Sequence, residues 1–332
     1  MKPLVITAGE PAGIGPDALI ILAQQSWDFP WVALGHAESI LQRAKKLGLT
    51  VTLSDYDAKS DHVPAGTLPL ISFDTAEPVV TGQLNPKNAK HVLSLLDFAI
   101  EGCLASDFSA MVTAPISKSV INDFGLRFSG HTEYLAEKTQ AEDVVMMLTT
   151  YSEKPLRVCL ASTHLPLKNV SDALTAERVA RRASIIDHDL RIRFGLEQPF
   201  IAMAGVNPHA GENGYLGREE IDTLNPVITQ LQAAGLNLQG PYPADTMFTT
   251  IEADAYYCMF HDQGLPVVKY AGFGQVVNVS LGLPIIRTSV DHGCALDLAG
   301  TGKIKISSLQ AAMQLARDMA YQEQASKQCM RS

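Results

Sequence analysis

Three times in the second half of the chain, an apolar run gives way to a turn-rich stretch that carries a histidine. The runs from Arg157, Ile201 and Tyr256 end in His164, His209 and His261. Three neutral imidazoles suit a catalytic divalent ion, because they hold it while leaving positions open for substrate. Asp262, next to the third histidine, and Asp245, in the stretch from Pro243 to Thr246, are carboxylates suited to orienting a ligand or touching the substrate. One such histidine could simply satisfy a loop carbonyl. The repetition of the same placement is what points to an ion. His36, His62, His91 and His188 fall on helical or polar stretches and are expected in solvent.

A second set of residues could hold an anion. Ser129, Gly130, His131, Thr132 and Glu133 open a helical pattern, and the free N–H groups of a helix start favour phosphate, although Ser or Thr before Glu is also an ordinary cap. Lys269, Asn278 and Arg287 are spread through a glycine-rich stretch and offer a point charge, an amide and a planar fork. The turn from Gly9 to Asp17 is also glycine-rich, but it matches neither the dinucleotide glycine fingerprint nor a Walker loop; tight packing and ligand approach explain it equally.

The elements that must position these groups read as α/β. Short apolar runs at Leu4 to Ala8, Trp31 to Gly35, Ala110 to Thr113, Val144 to Thr149, Arg157 to Ser162, Phe200 to Gly205 and Ala255 to Phe260 predict strands. Helical patterns cover Pro16 to Gln25, Glu38 to Lys46, Pro86 to Leu104, Thr175 to Phe194, Glu219 to Ala234 and Ser308 to Ala325. Such alternation is the mark of parallel sheets covered by helices, in which loops at the carboxyl ends of strands gather on one edge. The three histidines would then converge.

With 332 residues, 46% hydrophobic, the chain suits two lobes of roughly 150 residues with a cleft between them. A net charge of −9 argues against nucleic acid as a partner. The N-terminal stretch turns glycine-rich before any signal-peptide core develops, and no stretch reaches the roughly 18 apolar residues that span a bilayer; no membrane association and a cytoplasmic location are expected. Five widely spaced cysteines without a C-x-x-C pair argue against a disulfide framework or a cysteine zinc site, and Cys159 and Cys258 read as small buried hydrophobes.

Taken together, the segments from Gly9 (GEPAGIGPD), Thr113 (TAPISKSVIND), Ser129 (SGHTEYLAE), Thr163 (THLPL), Asn207 (NPHAGENGYLG), Pro243 (PADTMF), His261 (HDQGLPVVKY) and Asn278 (NVSLGLPIIRTSVDHGCALDLAG) resemble the 4-hydroxythreonine-4-phosphate dehydrogenase family of pyridoxal phosphate synthesis. They span nearly the whole chain in order. The resemblance implies two α/β/α lobes of the isocitrate/isopropylmalate dehydrogenase kind, with residues 1–125 and 275–332 on the cofactor side and 126–274 binding metal and forming a dimer. It implies that His164, His209 and His261 ligate one divalent ion (zinc, magnesium or cobalt), and that His131, Thr132, Lys269, Asn278 and Arg287 bind substrate. Asp245 and Asp262 would lie close to the ion. A homodimer with its active site at the subunit interface is implied as well.

Asp291 to Gly300 is similar to the loop that holds the adenosine part of the cofactor in that fold, which implies cofactor contacts at His292, Gly293 and Asp297. Gln275 to Val277 departs from the more basic, glycine-containing stretch of family members, leaving NAD and NADP both open. The implied reaction is oxidation of 4-phosphohydroxy-L-threonine, a small phosphorylated hydroxy amino acid, by NAD or NADP. The ion would lower the pKa of the hydroxyl, and the resulting β-keto acid would lose CO₂ to give 3-amino-2-oxopropyl phosphate. The proton acceptor stays open between Asp245, Asp262 and a water on the ion. The alternatives are a dehydrogenase of threonate or erythronate 4-phosphate, and, less in keeping with three histidines, a phosphate acyltransferase.

Overall fold

The structure is a computed structural model that describes residues 1–57 and 60–329. Among these residues the strands are β1 (Leu4–Thr7), β2 (Trp31–Gly35), β3 (Thr52–Ser54), β4 (Thr67–Ser72), β5 (Ala110–Thr113), β6 (Val145–Thr150), β7 (Arg157–Leu160), β8 (Ile201–Ala204), β9 (Leu238–Tyr242), β10 (Ala255–Cys258), β11 (Val276–Leu281) and β12 (Arg287–Val290). The chain forms two compact units, Met1–Ala141 with Leu283–Tyr321, and Glu142–Gly282 with Gln322–Ser332. The divisions lie beyond 125 and 274, where the sequence reading divides the chain. Helix His131–Thr139 packs on helix Ala89–Leu104 and so belongs to the first unit, while β11 pairs with β6 and so belongs to the second.

The first unit orders its strands β3-β4-β2-β1-β5-β12, all pairs parallel. β1, β2, β5 and β12 are buried at every position, as strands covered by helices on both faces must be. That is why β1, β2 and β5 read as largely apolar runs, whereas β12, Arg-Thr-Ser-Val, does not. The turn leaving β1 is glycine-rich for packing: a β-carbon on Gly15 would stand 1.8 Å from the carbonyl oxygen of Ala8, and one on Gly9 2.2 Å from that of Pro115. Asp17 and Arg43, both buried, pair beneath this turn. Arg43 also donates to the carbonyls of Gly13 and Pro11, and Asp17 accepts from the amide of Gly300.

The second unit orders its strands β11-β6-β7-β10-β8-β9. β6 runs antiparallel to both its neighbours, and β7, β10, β8 and β9 are parallel. Its core includes Leu148, Val158, Leu160, Ala202, Cys258 and Val268. Cys159 and Cys258 are wholly buried; burial pushes both thiols up, Cys258 to about 12, so they behave as small hydrophobes rather than nucleophiles. Among the described residues no disulfide joins any of the cysteines. Among the described residues no helix is long and apolar enough to cross a membrane.

One of the histidines expected in solvent is buried, and a second is half-buried. His91 is only 4% exposed, and His36 packs edge-on against it with ring centroids 6.3 Å apart. A helical pattern marks His91 as helical but cannot show which face meets the sheet. Burial pushes its imidazole down to about 4, with smaller influences from the Asp74 carbonyl that accepts from Nδ1 and from His36. The unfolded chain takes up that proton near pH 6.5. The stability His91 supports is therefore complete above 6.5 and lost as pH falls toward about 4, a loss of about 3 kcal/mol. Urea unfolding from pH 7 to 4 should show this slope in the wild-type protein and a shallower one in His91→Leu. Identical slopes would show that His91 titrates normally.

Candidate active site

β7, β10 and β8 are neighbours in that order, so their carboxyl ends lie side by side and launch His164, His261 and His209 respectively. Hydrogen bonds staple the three exits together. The amide of Ala161 donates to the carbonyl of Cys258 at 2.8 Å, and the hydroxyl of Ser162 to that of Met259 at 2.7 Å. Gln263 accepts from the amide of Met259 and donates to the carbonyl of Gly205. Arg182, held by both oxygens of Asp143, donates to the carbonyl of Ala161. Apart from the bond between Met259 and Gln263, four residues apart, none of these cross-links is visible in the sequence, since their partners are 21 to 97 residues apart.

His164 and His261 meet, with ring centroids 5.8 Å apart. They line a cavity of about 340 Å³ with Thr163, Leu165, Phe260 and Asp262. His261 is not in a loop, as the sequence suggests, but is the first residue of helix His261–Ala271. Gly264 and Pro266 hide this helix from pattern reading. The glycine is needed because a β-carbon there would come within 2.7 Å of Cys258 and 2.5 Å of Val158, on the strands beneath. Oδ1 of Asp262 lies 2.6 Å from Nδ1 of His261. An ionised carboxylate only accepts, so Nδ1 carries the hydrogen and Nε2 keeps a lone pair for a cation. Asp262 is thus placed to orient a ligand rather than to be one.

His209 does not join the pair: among the described residues no three His, Cys, Asp or Glu side chains gather as a metal site. It opens a run of left-handed backbone, His209 to Asn213, with φ between 44° and 79°. Such a run costs roughly 1–2 kcal/mol at each non-glycine residue and persists only where its surroundings hold it. The buried carboxylate of Glu220 does so, accepting from the amides of Val206 and Asn207 and from the side chain of Asn207. Glu219 also accepts from Asn207 and from Ser171, bonds that hold its carboxyl down at about 2. Asp245 is exposed in the first turn of helix Ala244–Thr250. The pair His164 and His261 fits a divalent ion by donor type and by the tautomer Asp262 imposes. Among the described residues the third ligand is not assembled.

In the first unit, His131 opens helix His131–Thr139 behind Gly130, and no side chain caps that helix start. The ordinary-cap alternative is therefore not realised, and the first-turn N–H groups, with the positive end of the helix dipole, stay available. Nε2 of His131 is sealed from solvent and has no hydrogen-bond partner among the described residues. Burial, then the charges of Arg287 and Lys118, hold its imidazole well below the usual range, so it is neutral at pH 7. Arg287 is 2% exposed and donates from Nε and Nη2 to the hydroxyl of Thr113, a residue the sequence reading does not single out. Burial pushes its guanidinium down to about 9, which still leaves it charged at neutrality. Lys269, exposed in helix His261–Ala271, and Asn278, half-buried on β11, belong to the second unit.

The Asp291–Gly300 loop follows β12 and is tied to the turn after β1 by the bond from Ile14 N to Cys294 O and by the Asp17–Arg43 pair. His292, Gly293 and Asp297 are exposed on it. Glu10, 2% exposed, accepts from the amide of Ala12 with Oε1 while its Oε2 has no partner among the described residues, and burial raises its carboxyl above the usual range.

Residues 27–316 match the family model of the pyridoxal phosphate biosynthetic protein PdxA. The chain belongs to that family. It is 52% identical over 330 residues to a 4-hydroxythreonine-4-phosphate dehydrogenase of Pseudoalteromonas translucida, covering 98% of this chain and 99% of that one. It is 51% identical over 325 residues to the enzyme of the same name from Stutzerimonas stutzeri, with 96% and 98% covered. Among solved structures, the 4-hydroxythreonine-4-phosphate dehydrogenase from Klebsiella pneumoniae superimposes with a TM-score of 0.86 at 35% identity, over 96% of this chain and all of that one.

Proposed function

We propose that the protein oxidises 4-phosphohydroxy-L-threonine with NAD or NADP to 2-amino-3-oxo-4-phosphooxybutanoate, which decarboxylates to 3-amino-2-oxopropyl phosphate, a step of pyridoxal phosphate biosynthesis in the cytoplasm. The observation that carries the reading is the meeting of His164 and His261 at the ends of adjacent parallel strands, in a chain half identical throughout to enzymes of that name.

His164 and His261 would hold the metal, with His209 as third ligand. A divalent ion there would act as a Lewis acid on the substrate hydroxyl. Asp262 keeps His261 in the metal-binding tautomer. Being committed to that bond, it leaves Asp245 as the carboxylate to receive the hydroxyl proton. His131, Thr132 and Arg287 bind the phosphate, and Lys269 and Asn278 bind the remaining polar groups, so that the reacting carbon is held still. His292, Gly293 and Asp297 contact the adenosine portion of the nicotinamide cofactor, whose chemistry is to accept the hydride released from that carbon. The Asp17–Arg43 pair positions their loop.

A homodimer with the site at its interface is supported by large apolar side chains on the second unit: Tyr270 is 91% exposed, Phe273 89%, Tyr215 88% and Leu167 71%. Exposed apolar groups form an interaction surface where they adjoin one another. A second chain laid there would also complete the surroundings of His164.

Turnover of 4-phosphohydroxy-L-threonine, threonate 4-phosphate and erythronate 4-phosphate by the purified protein, each with NAD and with NADP, tests the substrate. Highest kcat/KM on the amino acid is expected. A higher value on either sugar acid assigns the chain to that substrate instead.

A further inference from the structure

We propose that Lys118, which no sequence motif or family resemblance singled out as a ligand, grips the phosphate end of the substrate together with His131 and Arg287. The inference deepens the proposed function and rests on it for the identity of the ligand. Lys118 begins helix Lys118–Asp123, just past the exit of β5, whose last residue, Thr113, receives the two bonds from Arg287. Its ammonium reaches back toward the uncapped start of helix His131–Thr139. A β-carbon built on Gly130 would stand 3.2 Å from Nζ of Lys118 and 2.9 Å from Oε2 of Glu133. Despite the shared approach, Lys118 forms no ion pair with Glu133 or any other carboxylate within 4 Å among the described residues.

The site therefore combines a buried planar cation, an exposed cation, a neutral imidazole whose Nε2 lacks a partner among the described residues, and the free N–H groups of a nine-residue helix. Two positive charges match a phosphate dianion better than a monovalent carboxylate, and Nε2 and the N–H groups supply directional bonds to its oxygens. An exposed lysine also strengthens capture from solution, since its charge acts before the ligand is desolvated. The phosphate end is thus assigned to this pocket, and the carboxylate and amino ends to other contacts.

The test compares wild type, Lys118→Gln and Lys118→Arg in steady-state turnover of 4-phosphohydroxy-L-threonine and in calorimetric titration with inorganic phosphate. Losing one charge-assisted contact should raise the substrate KM by about tenfold to a hundredfold and weaken inorganic phosphate by a similar factor. The cofactor KM and the melting temperature should not move, because Lys118 is exposed, and Lys118→Arg should recover most of the loss. Unchanged substrate KM and phosphate affinity in Lys118→Gln, with wild-type turnover normal, would overturn the assignment and leave the proposed function standing. If wild type binds phosphate through Lys118 but turns over no 4-phosphohydroxy-L-threonine, the pocket stands and the proposed function falls.

Discussion

His261→Ala is expected to lower kcat roughly a thousandfold. Lewis-acid assistance to a developing alkoxide is worth several kcal/mol, and about 4 kcal/mol of lost stabilisation corresponds to three decades of rate. Half-exposed at a helix start, His261 carries little of the core, so unfolding does not confound the result. Bound metal, counted by elemental analysis, should fall with the activity. Asp262→Asn should be milder, about tenfold to a hundredfold, because it removes only the group that fixes the tautomer. Wild-type turnover in His261→Ala would remove the imidazole pair from the mechanism.

Arg287→Met is expected to raise the substrate KM by roughly a hundredfold or more, with a smaller fall in kcat. A buried guanidinium on a phosphate is worth about 3 kcal/mol, two decades in binding. Arg287→Lys should recover only part of this, since an ammonium restores the charge but not the fork. The cofactor KM should stay put. A proportional rise in both Michaelis constants would mean that the arginine supports the fold of the first unit rather than the ligand.

Much of this arrangement was legible in the sequence because it depends on runs buried on both faces. β1, β2, β5, β7, β8 and β10 are such runs, and the strand-end histidines followed from them. β3 has three residues, and β4 and β9 carry polar or half-buried positions, so their alternation was too weak to read. β11 and β12 lay within a stretch whose glycines and proline spoke louder than its valines. Candidate residues could be named where residue type suggests chemistry, as at His164, which lies against His261, and at Arg287, bonded to Thr113. They could not be named where position comes from a partner far along the chain: Asp262 on His261 was adjacent, but Glu220 beneath the left-handed turn, Thr113 under Arg287 and the Asp17–Arg43 pair looked like ordinary polar residues of helices and strand ends. The same limit applies to the burial of His91.

Metal-dependent oxidation of one substrate is the centre of the proposed mechanism. Protein stripped by a chelator, dialysed, and given 4-phosphohydroxy-L-threonine with NAD or NADP should form no reduced nicotinamide until zinc, cobalt or magnesium is returned, and then form it in proportion to occupied sites. Full activity in protein shown by elemental analysis to be metal-free, or none with any of those ions restored, would contradict it.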